Sequence, residues 1–322
     1  MKEHLQNLDA LNINLGQSEM FVVNIILAFV MFGVALGIKL QTFKDVFRNP
    51  KSVITGLCLQ WVALPAVTFL VTILLNPFIT PMVAIGMLLV ASCPGGNISN
   101  FMSSLSKGNI ELSVSMTAIS TAFAPIITPF NFWLWGTLYC RYASVHNDIP
   151  TLSIPFGDML EQILLILGIP IVLGLLVAHY FPNLSNKLKR PTSILSILLF
   201  IGMVAVSLTQ VLTALEQRWT VYAGILCALA VVVIHNASAL GTGFGGATLL
   251  KASKEDRRSL TIETGIQNSG LGLALLFNAA IFPPEVWQNN GGMVIVTALW
   301  GIWHIISGLT VATLFRRVSL KA

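Results

Sequence analysis

Charge is scarce in this chain. Only 10% of its 322 residues are Asp, Glu, Lys or Arg and 55% are hydrophobic, where a soluble domain carries about a quarter charged. Mean hydropathy is +0.81. That shortage, together with repeated apolar runs of roughly twenty residues, excludes an ordinary soluble enzyme and indicates a polytopic membrane protein. Cysteine is scarce too. Cys58, Cys93, Cys140 and Cys227 show no metal-ligand spacing, and three of them fall inside apolar runs, so neither a zinc site nor a disulfide framework is expected. No HExxH, GxSxG, Walker or CxxC pattern occurs, which leaves intramembrane catalysis without positive support. The first nineteen residues lack the apolar core and cleavage site of a signal peptide.

What is present is a set of nine apolar segments, at 20–38, 52–75, 82–105, 110–138, 158–180, 192–213, 220–250, 259–281 and 292–315. The expected fold is all-α, with nine transmembrane helices. Residues 1–19 form an external arm in which Leu5, Leu8, Leu11 and Leu15 recur at helical spacing, so it is expected on the bilayer surface or as a loose tail. The segment 139–157, with Arg141, His146, Asp148 and Pro150, reads as an external crossover between halves 20–138 and 158–315. Fifteen of the eighteen Lys and Arg residues fall in one set of loops and ends; only Lys2, Arg141 and Arg218 lie in the other. The net charge of +5 therefore follows the membrane and is no nucleic-acid footprint. The bias places the N-terminus outside and the tail 316–322 in the cytoplasm, in an integral, multi-pass protein of the plasma (inner) membrane.

Two of the nine segments carry polar, helix-breaking residues near their centres. One is Ser92-Cys93-Pro94-Gly95-Gly96-Asn97-Ile98-Ser99-Asn100, within 82–105. The other is Glu263-Thr264-Gly265-Ile266-Gln267-Asn268-Ser269-Gly270, within 259–281. Non-helical backbone at that depth persists only where protein or a watery cavity satisfies it. Under the nine-helix map the two broken helices run antiparallel and stand five helices apart, as an inverted-topology repeat requires. The plan resembles five plus five helices with the first one absent.

Of thirteen acidic residues, Glu263 alone lies well inside a span without a basic neighbour in its helix. An intramembrane carboxylate costs about 2.5–3.5 kcal/mol on insertion scales and marks an ion or proton path, unless it is protonated and bonded between helices. Gln267 shares its helical face. Unwinding at Gly265 and Gly270 frees the carbonyls of Glu263, Thr264 and Ile266, which makes an oxygen cage suited to Na+. In the earlier break Pro94 removes a donor, Gly95 and Gly96 permit the turn, and Asn97, Ser99 and Asn100 supply oxygens. Ser113 and Thr117, four apart on the next helix, face it. Gln60, five residues before Pro65, is a buried amide that otherwise serves as interhelical glue. The resumed half-helices start near Gly96–Asn97 and Asn268–Ser269, with N–H groups and positive dipole ends that favour a carboxylate. His304 and Trp300 share a face of the ninth helix, and His235 and Asn236 sit inside the seventh with a packing role as the simpler reading.

These residues resemble the bile acid:sodium symporter family. The resemblance is carried by Cys93-Pro94-Gly95-Gly96-Asn97-Ile98-Ser99-Asn100, by Gly108-Asn109 with Leu112-Ser113-Val114, and by Glu263 to Gly270. The Gln60…Pro65 pair and Trp303-His304 fit as well. It covers residues 20–315. It implies two crossed broken helices in a core domain (52–138 and 192–315, excluding the helix 192–213) and a panel of helices 20–38, 158–180 and 192–213. It implies one Na+ site at Ser99, Asn100, Ser113, Thr117 and Glu263, and a second at Gln60, Glu263, Gln267 and the carbonyls of Thr264 and Ile266. It points to an organic anion, a bile acid or a small carboxylate such as pantoate or a 2-oxo acid, beside Asn97, Ile98, Asn268, Ser269 and His304. Asn97 stands where bacterial members often have Thr, and Ile305 follows His304 where Asn is common. The expected activity is Na+-coupled symport, with two Na+ per anion. A Na+/H+ exchanger using Glu263 expects more than one mid-membrane carboxylate; a membrane enzyme or sensor would use the same pocket.

Overall fold

A computed structural model describes residues 1–11, 17–38, 50–146, 154, 156–192, 194–195, 198–199, 202, 219–278, 281–283, 287 and 289–318. Among them the only regular structure is helix, and strand pairing is limited to one isolated bridge. The helices are α1 (Lys2–Asp9), α2 (Gln17–Leu36), α3 (Pro50–Leu74), α4 (Pro81–Ser92), α5 (Ile98–Leu105), α6 (Ile110–His146), α7 (Phe156–Tyr180), α8 (Trp219–Leu249), α9 (Lys254–Gly265), α10 (Ser269–Leu276) and α11 (Gly291–Arg317). Five of them, α3, α6, α7, α8 and α11, are long and apolar enough to cross a membrane. They coincide with five of the expected spans. The segments 82–105 and 259–281 each appear as two half-length helices, α4 with α5 and α9 with α10. The expected span 192–213 lies mostly outside the described residues. Leu70 and Leu74 of α3, Leu173 of α7 and Leu226 of α8 are exposed, as helices facing lipid require.

Local chemistry accounts for where the broken helices start. Thr80 caps α4 by accepting the Val83 N–H, with Pro81 in the first turn, where no amide donor is needed. Ser253 caps α9 through the Asp256 N–H at 3.0 Å, and Glu255 and Asp256 suit the positive end of its dipole. That cap extends α9 five residues before the apolar run begins. Asp256 also accepts from Ser52 Oγ at 2.6 Å and Asn109 Nδ2 at 2.7 Å, which fastens α9 to the starts of α3 and α6. Buried Arg258 donates to the Ser106 carbonyl beyond α5 (2.7 Å) and the Val318 carbonyl beyond α11 (2.8 Å), a cation at two helix C-termini. The end of the molecule below the breaks is therefore tied together by directional bonds.

Two expectations change. α6 runs on to His146, through the first part of the segment expected as crossover; the His146 ring stacks on Tyr142 and bonds its carbonyl, closing the last turn. The N-terminal arm does not lie loose. Leu5 and Leu8 are fully buried, and α1 packs on α8, α11 and α4. Glycine makes room for it: a Cβ at Gly224 would meet the His4 carbonyl at 2.7 Å, and one at Gly292 would meet Asp9 Oδ1 at 2.0 Å. Elsewhere α8 lies along α9, α4 and α10 along α11, and α2 packs chiefly against α7.

Candidate functional site

α4 ends because Pro94 has no N–H for the Val90 carbonyl; the Cys93 N–H takes that carbonyl instead, at 3.1 Å. α9 ends at Gly265, and Ile266 is extended (φ −117°, ψ 95°). The two frayed segments then satisfy one another. Gly96 N–H donates to the Ile266 carbonyl at 3.0 Å and Asn268 N–H to the Pro94 carbonyl at 2.8 Å, around an antiparallel bridge between Gly95 and Gln267. These two bonds replace water for backbone groups far from solvent. They need close approach: a Cβ at Gly95 would lie 2.8 Å from Gln60 Nε2 and 3.2 Å from Glu263 Oε2, and one at Gly96 3.3 Å from the Gln267 carbonyl.

Glu263 lies one turn before the bridge and has no exposed surface. Three hydroxyls from two other helices hold its carboxylate. Ser99 of α5 donates to Oε1 at 2.5 Å, Ser113 of α6 makes a short bond to Oε1, and Thr117 of α6 donates to Oε2 at 2.9 Å. Asn100 Oδ1 lies 2.9 Å from Ser113 Oγ and 3.4 Å from Thr117 Oγ1. The five residues of the first expected ligand set are thus in one cluster, and the side-chain atoms that bond one another within it are all oxygens. A carboxylate with four neutral oxygens matches the hard-oxygen preference of a small cation.

The second set is also brought together, with a difference. Gln60 Nε2 donates to the Glu263 carbonyl at 2.9 Å and Gln267 Nε2 to the Thr264 carbonyl at 2.9 Å, while Gly96 takes that of Ile266. The carbonyls expected to be freed by unwinding therefore each accept one bond, because buried carbonyls recruit the nearest donors. A carbonyl has two lone pairs, so each keeps a second position. The other ends of the two amides, Gln60 Oε1 and Gln267 Oε1, are buried without a partner among the described residues, as is Thr264 Oγ1. Such orphans are costly unless something else can occupy them.

Gln60 owes its place to a π turn at Leu59–Ala63 in α3. Pro65 lacks the N–H that a helix would give to the Trp61 carbonyl, and Asn131 Nδ2 of α6 supplies that bond at 2.9 Å.

The expected anion side is less uniform. The Asn97 side chain is exposed and caps nothing, Ile98 is half-buried, and Ser269 Oγ is buried and unpartnered. Asn268 caps α10 by accepting the Leu271 N–H at 3.1 Å. Its own N–H is spent on Pro94, so that part of the second half-helix terminus is not free as expected. His304 Nδ1 donates to the Trp300 carbonyl at 2.7 Å, which directs Nε2 away from its own helix. His235 meets Thr68 at 2.9 Å and lies against Trp300, a packing role. Asn131 and Ser307, which bonds Asn236 at 2.5 Å, escaped the sequence reading. A polar residue between Pro129 and Trp133 was the available signal for the former; a lone Ser in an apolar helix gives none.

The profile of a family described as "Sodium Bile acid symporter family" matches residues 24–218. The chain is 32% identical over 291 residues to the sodium-dependent transporter YocS of Bacillus subtilis, covering 90% of this chain and 82% of that one. It is 28% identical over 286 residues to the probable sodium/metabolite cotransporter BASS2, chloroplastic, of Oryza sativa, covering 88% of this chain and 62% of that one. It is 29% identical over 256 residues to the ileal sodium/bile acid cotransporter of Cricetulus griseus, covering 78% of this chain and 67% of that one. These relatives are named as transporters and cotransporters.

Proposed function

We propose that this chain, which belongs to the sodium bile acid symporter family, couples the inward movement of Na+ to that of an organic anion through its two crossed breaks. The observation that carries the reading is the fully buried Glu263 carboxylate, held by hydroxyls of α5 and α6 beside the Gly95–Gln267 bridge. Ser99, Asn100, Ser113, Thr117 and Glu263 form the first Na+ site. Gln60, Glu263, Thr264, Ile266 and Gln267 form the second. Without the ion, hydroxyl protons and amide N–H groups satisfy the carboxylate and carbonyls. With it, the hydroxyls rotate and the amides turn their orphaned oxygens to the cation. Filling both sites clamps α5, α6 and α9 around the bridge and fixes the starts of α5 and α10, where Asn97, Ile98, Asn268, Ser269 and His304 receive the anion's carboxylate.

The coarser observation, an integral membrane protein of many helices, supports a nine-helix plan of inverted halves with N-terminus outside and C-terminus in the cytoplasm of the plasma membrane. The chief packing of α2 on α7, with α7 in turn resting on α6, supports a panel against which the core moves. Two Na+ with a monovalent anion carry one net positive charge inward, favoured by about 2.3 kcal/mol per 100 mV.

Proteoliposomes with a Na+ gradient test this, using a bile acid, pantoate and a 2-oxo acid as probes. The expected result is accumulation of one of them that requires Na+ over K+ and rises with an inside-negative potential. Na+/H+ exchange with no organic solute, or uptake indifferent to Na+, would overturn it.

A further inference from the structure

Asn236 of α8 is wholly buried and belongs to neither cation ligand set. Its amide is held at both ends. Ser307 Oγ of α11 lies 2.5 Å from Asn236 Oδ1, and Nδ2 donates to the Gly265 carbonyl at 2.9 Å. Because a carbonyl can only accept, the Gly265 C=O fixes which way the amide faces, and the Ser307 hydroxyl donates to the oxygen that then faces it.

Gly265 is the last residue of α9, and its carbonyl has no helical donor once Ile266 turns extended. The Gly265–Ile266 peptide is therefore gripped on both edges: Asn236 takes its C=O, and its N–H donates to the Ile262 carbonyl at 2.9 Å. The carbonyls on either side, Thr264 and Ile266, point elsewhere, one to Gln267 Nε2 and one to Gly96 N–H at the crossing. Turning the Gly265 plane would swing both. α8 also seals this point sterically, since a Cβ at Gly265 would meet Leu240 Cδ2 at 2.3 Å.

We propose that Asn236 is a positioning residue for the second cation site: it holds the last peptide of α9 so that the Thr264 and Ile266 carbonyls stay aimed at the ion. This rests on the Na+ reading above. Ser307 is the residue that keeps Asn236 in register. Because Ser307 lies one turn beyond His304, the same brace ties the cation half of the site to the helix that walls the anion half.

The test is a Na+ titration of the purified full chain, NaCl replacing KCl at constant ionic strength, read as melting temperature. Asn236→Leu keeps the volume and removes the donor. It is expected to raise the Na+ midpoint about tenfold, the loss of roughly one hydrogen bond. Ser307→Ala should shift the midpoint the same way by about threefold, and Ser307→Thr should restore it. A purely structural role would lower the melting temperature in KCl while leaving the midpoint unmoved, and that result overturns the inference. If Asn236→Leu does not fold, the Ser307 pair decides in the same terms. A wild type that Na+ does not stabilise defeats the Na+ reading and this inference with it; a Na+-responsive wild type with unmoved variants defeats this inference alone.

Discussion

Gly95→Ala is the substitution whose effect can be worked out most closely. The new methyl would lie 2.8 Å from Gln60 Nε2 and 3.2 Å from Glu263 Oε2. Ordinary contact begins near 3.5 Å, so the amide must retreat by about 0.7 Å. Its bond to the Glu263 carbonyl, now 2.9 Å, then stretches to the limit of a hydrogen bond. Losing it costs about 0.5–1.5 kcal/mol, and residual crowding in a tight interior adds about 1 kcal/mol. The methyl also enters the space between Gln60 and Glu263, beside the proposed second Na+ site. The half-saturating Na+ concentration for uptake should therefore rise by about tenfold to fiftyfold, each 1.4 kcal/mol being tenfold. The assay is Na+-dependent uptake into proteoliposomes, with the fold checked by the melting temperature in KCl. Gly157→Ala is the control, since nothing among the described residues lies within 4 Å of a Cβ there. A folded Gly95→Ala protein with wild-type Na+ dependence would refute the assignment of Gln60 to a cation site.

Arg258→Ala removes the donor to two helix-end carbonyls and should cost on the order of 3 kcal/mol, seen as a lower melting temperature in NaCl and KCl alike. Asn131→Leu uncovers the Trp61 carbonyl and should weaken both stability and Na+ affinity, by about 1–2 kcal/mol in total; a stability loss with unchanged Na+ affinity would show that the π turn does not set Gln60. At the N-terminal helix, burial raises the Asp9 carboxyl from 3.8 to about 7, against the opposing Thr80 hydrogen bond. A raised acid is docked most firmly when protonated, so the contribution is full below its ordinary value and is lost as pH rises through about 7. Amide exchange of α1, corrected for intrinsic rates, should show protection falling between about pH 4 and pH 7 and staying flat in Asp9→Asn; the same fall in that variant would exclude Asp9 as the cause.

Much of the site was legible because the membrane makes polarity conspicuous. Glu263 stood out as a carboxylate in an apolar run, and the 4-residue spacing of Ser113 and Thr117 put two hydroxyls on one face. Pro94, Gly95 and Gly265 announced the breaks through missing donors and missing side chains. The partners were not legible. That Gly95 pairs with Gln267, that Gly265 leans on Asn236, and that Asn131 covers Trp61 are contacts between distant segments with no local pattern. The leucine spacing of α1 indicated an amphipathic helix but not its seat, because the receiving glycines, Gly224, Gly291 and Gly292, lie more than 200 residues away. The extra length of α6 was hidden because polar residues leaving a membrane look alike in a loop and in a helix.

The central claim is that Glu263 binds Na+. The direct measurement is the melting temperature of the purified protein in NaCl against KCl, for the wild type and for Glu263→Gln, which keeps the shape and removes the charge. An ion present at about a hundredfold excess over its Kd stabilises the folded state by about 2.7 kcal/mol. The wild type should therefore melt several degrees higher in NaCl, and Glu263→Gln at the same temperature in both salts. A Glu263→Gln protein that Na+ stabilises as strongly as the wild type would contradict the account.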